Sequence, residues 1–238
     1  MEKIEMKLPE LPYAVEEALN RLRINIKFCG KNTKKILVVS SVQNEGKSFV
    51  AVNLWRMLAE AGFPSVLVDA DLRKSVLQDR HAFKAEKEIN GLDYYLSGQA
   101  EYTDIVYNTN IENGDIVPST NLLENPSTLL EDPRFHELFD RLSEDYRYVI
   151  VDAPPLVNVA DGALIATLCD GAILVVNSGE TSRALIKQSL TQLERSNCKL
   201  LGTVLNKAEV ANRAYYKYYG NYYGSYYGEN HTKDGASE

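Results

Sequence analysis

Val15, Leu19, Leu22 and Ile26 recur at helical spacing near the start of the chain. That period predicts a helix over 13–28, broken by Gly30. After a lysine-rich connection the pattern changes. Ile36-Leu37-Val38-Val39 is apolar at every position and predicts a strand buried on both faces. A polar turn, Ser40 to Gly46, leads into a second helix over 47–61, whose apolar face is Val50, Ala51, Leu54, Trp55 and Leu58. Gly62 ends it and Pro64 keeps it ended. The alternation then repeats. Residues 65–69, 114–117, 148–152, 172–176 and 200–205 read as strands, and 127–142, 161–168 and 182–196 as helices. Most of these strands are continuous Val/Ile/Leu runs. The expected fold is therefore α/β, a mainly parallel sheet with helices on both faces. From Ala211 onward tyrosine is the only core-forming apolar residue, which divides the chain into a domain over 1–210 and a flexible tail over 211–238.

Composition narrows this picture without changing it. The chain has 238 residues, 45% hydrophobic and 25% charged, an ordinary globular balance. A domain of that size buries enough surface to need no staples. Cys29, Cys169 and Cys198 are isolated and odd in number, which predicts a reducing compartment rather than disulfides or zinc. His81, His136 and His231 lack metal-ligand spacing. A net charge of −7 argues against nucleic acid as a partner. No apolar run approaches the roughly 18 residues of a membrane span, and the first ten residues hold no signal-peptide core. The expectation is a soluble chain that meets a membrane only through a partner.

The polar residues of interest follow the strands, where open α/β sheets place their ligands. Ser41-Val42-Gln43-Asn44-Glu45-Gly46-Lys47-Ser48 has the spacing of a Walker A phosphate loop, with serine at the usual first glycine. Backbone N–H groups at the helix start can cradle phosphate oxygens. Lys47 is placed for the β- and γ-phosphates and Ser48 for Mg²⁺. Two strand-end aspartate motifs follow. In Val66-Leu67-Val68-Asp69-Ala70-Asp71-Leu72-Arg73, Asp71 is the better Mg²⁺ candidate and Asp69 can accept the proton of an attacking hydroxyl. Arg73 is a candidate for pairing with a phosphate or with another subunit's carboxylate. In Tyr148-Val149-Ile150-Val151-Asp152-Ala153-Pro154-Pro155, Asp152 stands at the Walker B position, touching Mg²⁺ directly or through water. Asp161 suits the N-cap of the next helix better than a supporting role at the site. Asn206, after the last strand, either reads the edge of a nucleotide base or simply leaves the strand in a turn.

The tail is the least ordinary stretch. Of fifteen tyrosines, eight lie within residues 215–227: Tyr215, Tyr216, Tyr218, Tyr219, Tyr222, Tyr223, Tyr226 and Tyr227. Gly220, Gly224 and Gly228 interleave them and argue against a stable helix. A sticky aromatic element and a base-stacking platform are alternatives, the second weakened by few cations. Phosphorylation has a clearer logic. Each phosphate adds about −1.5 to −2 charges, so a multiply modified tail would repel an acidic body.

Taken in order, the Glu-Gly-Lys-Ser loop, the Asp-x-Asp-x-Arg and Asp-x-Pro-Pro strand ends and the tyrosine cluster resemble the bacterial tyrosine kinases of capsular and exopolysaccharide biosynthesis. Gly91-Leu92 through Tyr95-Leu96-Ser97-Gly98, and Asn125-Pro126-Ser127 with Leu129-Leu130, resemble further segments of that family. The resemblance runs from about Glu17 to the tail. It implies a P-loop NTPase fold similar to ParA/MinD, ATP with Mg²⁺ as phosphoryl donor, and tyrosine as acceptor. It implies that residues 41–48 with Lys47, Ser48, Asp69, Asp71 and Asp152 bind or act on the nucleotide. It also implies a ring-shaped homo-oligomer, octameric in relatives, in which one subunit's tail enters its neighbour's site. A membrane adaptor resembling polysaccharide chain-length regulators would recruit the cytoplasmic chain to the inner face of the membrane. Two departures stand out. Gln43-Asn44 replaces the Pro and Gly often found before Glu-Gly-Lys. The first-helix oligomer motif Glu-x-x-Arg-x-x-Arg keeps Glu17 and Arg23 but has Asn20 at the middle position, with Arg21 about 100° around the helix.

Three functions compete on these residues. The leading one is a protein-tyrosine autokinase that also acts on other protein tyrosines. A ParA/MinD-type ATPase switch shares the fold and the aspartates, but has no use for the tail and usually carries a second lysine that Ser41 to Glu45 lacks. The third is a nucleotide-sensing scaffold without turnover.

Overall fold

In a computed structural model, which describes residues 2–157 and 159–208, the apolar runs pair with one another. Eight strands among the described residues form one sheet: β1 (Lys3–Ile4), β2 (Lys35–Ser40), β3 (Ser65–Asp69), β4 (Tyr107–Thr109), β5 (Gly114–Val117), β6 (Tyr148–Asp152), β7 (Gly171–Asn177) and β8 (Leu200–Asn206). Their order is β1-β4-β5-β3-β6-β2-β7-β8. Every pairing is parallel except β4 with β5. The central strands β3, β6 and β2 are in a register that sets Asp69 beside Asp152 and Asp152 beside Val38. Three strand ends named from the sequence therefore converge on one spot.

The helices are α1 (Tyr13–Phe28), α2 (Lys47–Glu60), α3 (Leu77–Arg80), α4 (Leu92–Leu96), α5 (Tyr102–Ile105), α6 (Ser127–Leu130), α7 (Pro133–Asp145), α8 (Asp161–Ala166) and α9 (Arg183–Arg195). Alternate residues of each central strand feed two cores. Ile36, Val38, Leu67 and Ile150 face α2 and its Trp55, while Leu37, Val39, Val68 and Val151 face Phe135, Phe139 and Ile165 of α7 and α8. That is why the strands read as apolar at every position: neither face meets water. Trp55 is fully buried and its indole N–H donates to Ser65 O at 3.2 Å, which pins α2 to the start of β3. Gly62 takes φ 82° and ends α2 as its glycine predicts.

Several elements depart from expectation. The segment 127–142 is two helices, not one. Asp132 caps α7 by accepting Arg134 N–H at 2.9 Å, and Pro133 takes the first helical position, where its missing N–H costs nothing. Strand β1 adds a first strand to the sheet, extended by an isolated bridge from Glu5 to Lys84. Short helices α3, α4 and α5 and strand β4 fill the span between the two aspartate motifs. The tail tyrosines Tyr215 to Tyr227 lie outside the described residues.

Candidate active site

The phosphate loop turns from β2 into α2 through two left-handed residues, Asn44 at φ 65° and Gly46 at φ 95°. Asparagine is among the few L-residues that tolerate this region, so Asn44 meets the conformation a glycine would otherwise supply. Gly46 has no substitute. A Cβ there would lie 2.0 Å from Asn206 Nδ2, which itself donates to Glu45 O at 2.9 Å. Gly46→Ala is expected to cost on the order of 1–3 kcal/mol and to abolish nucleotide binding. Adding Asn206→Ala should recover only part, since the positive φ remains. Thermal denaturation and titration with a fluorescent ADP analogue check both.

The serine at the first loop position is also accommodated. Ser41 is fully buried, and its hydroxyl meets the Ser189 hydroxyl of α9 at 2.9 Å, so its side chain packs against α9.

Lys47 is the centre of the site. Its Nζ donates to Asp71 Oδ2 at 2.9 Å and reaches Asp152 Oδ1 at 3.4 Å, with Ser48 Oγ also at 3.4 Å. Ser48, Asp71 and Asp152 are buried, and the Lys47 side chain is only 12% exposed. Burial alone would lower the lysine's pKa, but Asp152 and then Asp71 outweigh it and push it up to about 12. Burial raises the Asp152 carboxyl, opposed by Lys47 and by the Ser48 hydroxyl that donates to it.

Asp69 differs from its neighbours. Its Oδ2 accepts the Ser75 hydroxyl, and its Oδ1 is buried without a hydrogen-bond partner. Burial, and then the charge of Asp152, push this carboxyl up to about 8. A buried acceptor left unpaired costs free energy, so it calls for a functional account. Asp71 Oδ1 accepts Lys74 N–H at 3.1 Å and holds the turn after β3.

One expectation around the site is corrected. Asp161 is the first residue of α8, whose N-cap is Ala160. Its buried carboxylate instead receives Arg73 and, at 2.8 Å, the Ser127 hydroxyl. Arg73 places its planar fork on this carboxylate and on Glu124 O at 2.8 Å. Asn206 uses its amide nitrogen on Glu45 O, which leaves its Oδ1 for any base edge. Ser75, Asn177, Thr181 and Ser189 were not singled out from the sequence. Asn177 ends β7 and Thr181 follows it, so both were findable by the strand-end rule. Ser75 and Ser189 carry no local signal.

The donor set suits Mg²⁺. Ser48, Asp71 and Asp152 are hard oxygen ligands on one spot, and Mg²⁺ is usually held by one or two carboxylates together with substrate phosphates.

A strand, a left-handed loop and a helix start that deliver a lysine between strand-end aspartates define a P-loop nucleotide-binding protein. Residues 33–202 match the family model described as an AAA domain. The chain is 40% identical over 207 residues to tyrosine-protein kinase CpsD of Streptococcus agalactiae, covering 86% of this chain and 90% of that one. Among solved structures, the chimerical protein CapA2B2 is similar at TM-score 0.76 and 29% identity, over 86% of this chain and 92% of that one. The septum site-determining protein MinD of Pyrococcus horikoshii, solved with Mg-ADP, shares the fold at TM-score 0.61 and 24% identity, over 77% and 76% of the two chains. The chain belongs to the family of bacterial tyrosine-protein kinases.

Proposed function

We propose that the chain transfers the γ-phosphoryl group of ATP to tyrosine, and that its own tail cluster, Tyr215 to Tyr227, is the principal acceptor, reached in trans between subunits. The observation that carries this reading is the unpaired, buried Oδ1 of Asp69 beside the Lys47–Asp71–Asp152 cluster. A hydrolase needs a positioned water. A water and a substrate hydroxyl both give up a proton on attack; Asp69 is placed to take it, and the tyrosine cluster of the tail makes a phenol the nucleophile.

In this mechanism the N–H groups of residues 41–48, apart from that of Val42, which Glu45 holds, orient the phosphates. Lys47 leaves its carboxylate partners to meet the γ-phosphoryl oxygens. Ser48, Asp71 and Asp152 would hold Mg²⁺, which when bound neutralises phosphate charge. Asp69, in its ionised form, takes the tyrosine proton on Oδ1 as the phenolic oxygen bonds to phosphorus and ADP leaves. Asn206 contributes its Oδ1 to the base. Residues 1–210 form the kinase domain and 211–238 the acceptor tail.

Helix α1 supports the reading of a ring-shaped homo-oligomer. Tyr13 and Phe28, at its two ends, are 70% and 83% exposed, apolar side chains that a second copy would cover. Glu17, Arg21 and Arg23 complete the interface. Asn20 does not copy the missing arginine but orients Arg23, whose Nε and Nη2 donate to Asn20 Oδ1 at 3.1 and 2.7 Å. Among the described residues no helix is long and apolar enough to cross a membrane. An adaptor resembling chain-length regulators is the partner that brings the chain to the inner membrane face for capsule or exopolysaccharide synthesis.

Incubation with Mg-ATP followed by phosphotyrosine mass spectrometry tests the reading. Phosphate is expected on residues 215–227. Release of free phosphate without labelled tyrosine would make it an ATPase switch instead. Mixing a Lys47→Met chain with a tail-truncated active chain tests the trans step: label should appear on the Lys47→Met tail.

A further inference from the structure

Glu45 lies inside the phosphate loop, yet it is 1% exposed and its carboxylate is engaged by groups of its own chain. Its Oε2 accepts Val42 N–H at 2.8 Å, which closes the loop on itself. Its Oε1 accepts Asn177 N–H at 3.2 Å and the Thr181 hydroxyl. Asn177 ends β7 and Thr181 lies in the turn before α9, so one carboxylate joins loop and turn. Ser41, at the other end of the loop, meets α9 through Ser189. The loop is therefore fastened at two points to the β7–α9 unit.

A carboxylate here needs explaining. An anion inside a loop that binds anions works against its purpose unless local donors neutralise it. Three donors do so, and such charge-assisted bonds are directional and strong. The arrangement exchanges an electrostatic cost for a fixed backbone, so the N–H groups stand ready before the ligand arrives.

We propose that Glu45 and Thr181 form a positioning brace for the phosphate loop and set nucleotide affinity without touching the reacting atoms. The brace rests on the reading of this loop as the nucleotide site.

Thr181→Val keeps the side-chain shape and removes the hydroxyl; Thr181→Ser keeps the hydroxyl. In the full-length chain, Thr181→Val is expected to raise the Kd for a fluorescent ADP analogue and the KM for ATP about tenfold, the scale of one hydrogen bond to a charged group. The kcat of tyrosine labelling should change far less, and Thr181→Ser should return both constants to the wild-type range. Glu45→Gln gives a second readout if Thr181→Val folds poorly. A purely structural role would lower the melting temperature and leave Kd and KM of the folded protein unchanged. Unaltered Kd and KM in both variants, with normal wild-type binding, would overturn the brace alone. Wild-type protein that binds no ADP would overturn the nucleotide reading and the brace together.

Discussion

Lys47→Met is expected to cut tyrosine labelling by at least about 10²–10³-fold, the scale of removing one charged donor from a developing phosphoryl transition state. It should also destabilise the nucleotide-free protein, because Asp71 and Asp152 are buried around this ammonium and would lose their counter-charge. Stranding buried carboxylates in this way costs roughly 3–5 kcal/mol. Part of the lost labelling would then reflect unfolding, so labelling must be normalised to the folded fraction by circular dichroism. Lys47→Arg separates the effects. A guanidinium can still face both carboxylates and should restore much of the stability. It cannot reproduce a compact point charge at the γ-phosphate, so labelling should stay low. Labelling by Lys47→Arg at the wild-type rate would remove Lys47 from the chemistry.

How far the sequence disclosed this site depends on the kind of contact involved. Lys47, Asp71 and Asp152 were legible because Asp152 ends an apolar strand, Asp71 stands two residues past the end of another and Lys47 starts a helix, and parallel strands bring their carboxyl ends to one edge. The buried central strands were legible for a related reason, since two covered faces leave an unbroken apolar run. Strands β1 and β4 are two and three residues long, too short for any period to register. The break between α6 and α7 was written in Asp132-Pro133, but helical spacing across 127–142 outweighed that signal. The partners that hold the site in place were the hardest to see. Ser41 meets Ser189 across 148 residues, and Arg73 meets Asp161 across 88. Such pairs leave no mark in local pattern. The N-cap reading of Asp161 failed because an aspartate at a helix start suits the macrodipole whether or not it caps, and only the fold shows which arginine it faces.

Asp69→Asn is expected to move activity and stability in opposite directions. Labelling should fall about 10²–10⁴-fold, the range of a lost general base. Stability of the nucleotide- and metal-free protein should rise, with a distinct pH dependence. Burial, and then Asp152, lift the folded-state pKa of Asp69 to about 8, from 3.8 when unperturbed. Between those values the folded protein holds a proton that the unfolded chain has released. Wild-type stability therefore falls as pH rises through this window, and the loss is complete above about pH 8. Asparagine does not titrate, so the variant's advantage should be absent below about pH 4, grow through neutrality and level off near pH 8. Each pKa unit corresponds to about 1.4 kcal/mol, so a gain on the order of 2 kcal/mol or more at pH 8 is expected. Urea denaturation of both proteins at several pH values measures it. A constant difference across the window would mean that Asp69 is ordinary in its environment, and the case for it as the tyrosine's base would lose its physical ground. A gain that tracks pH, with lost labelling, would identify Asp69 as a group kept at a cost in stability because the reaction needs it.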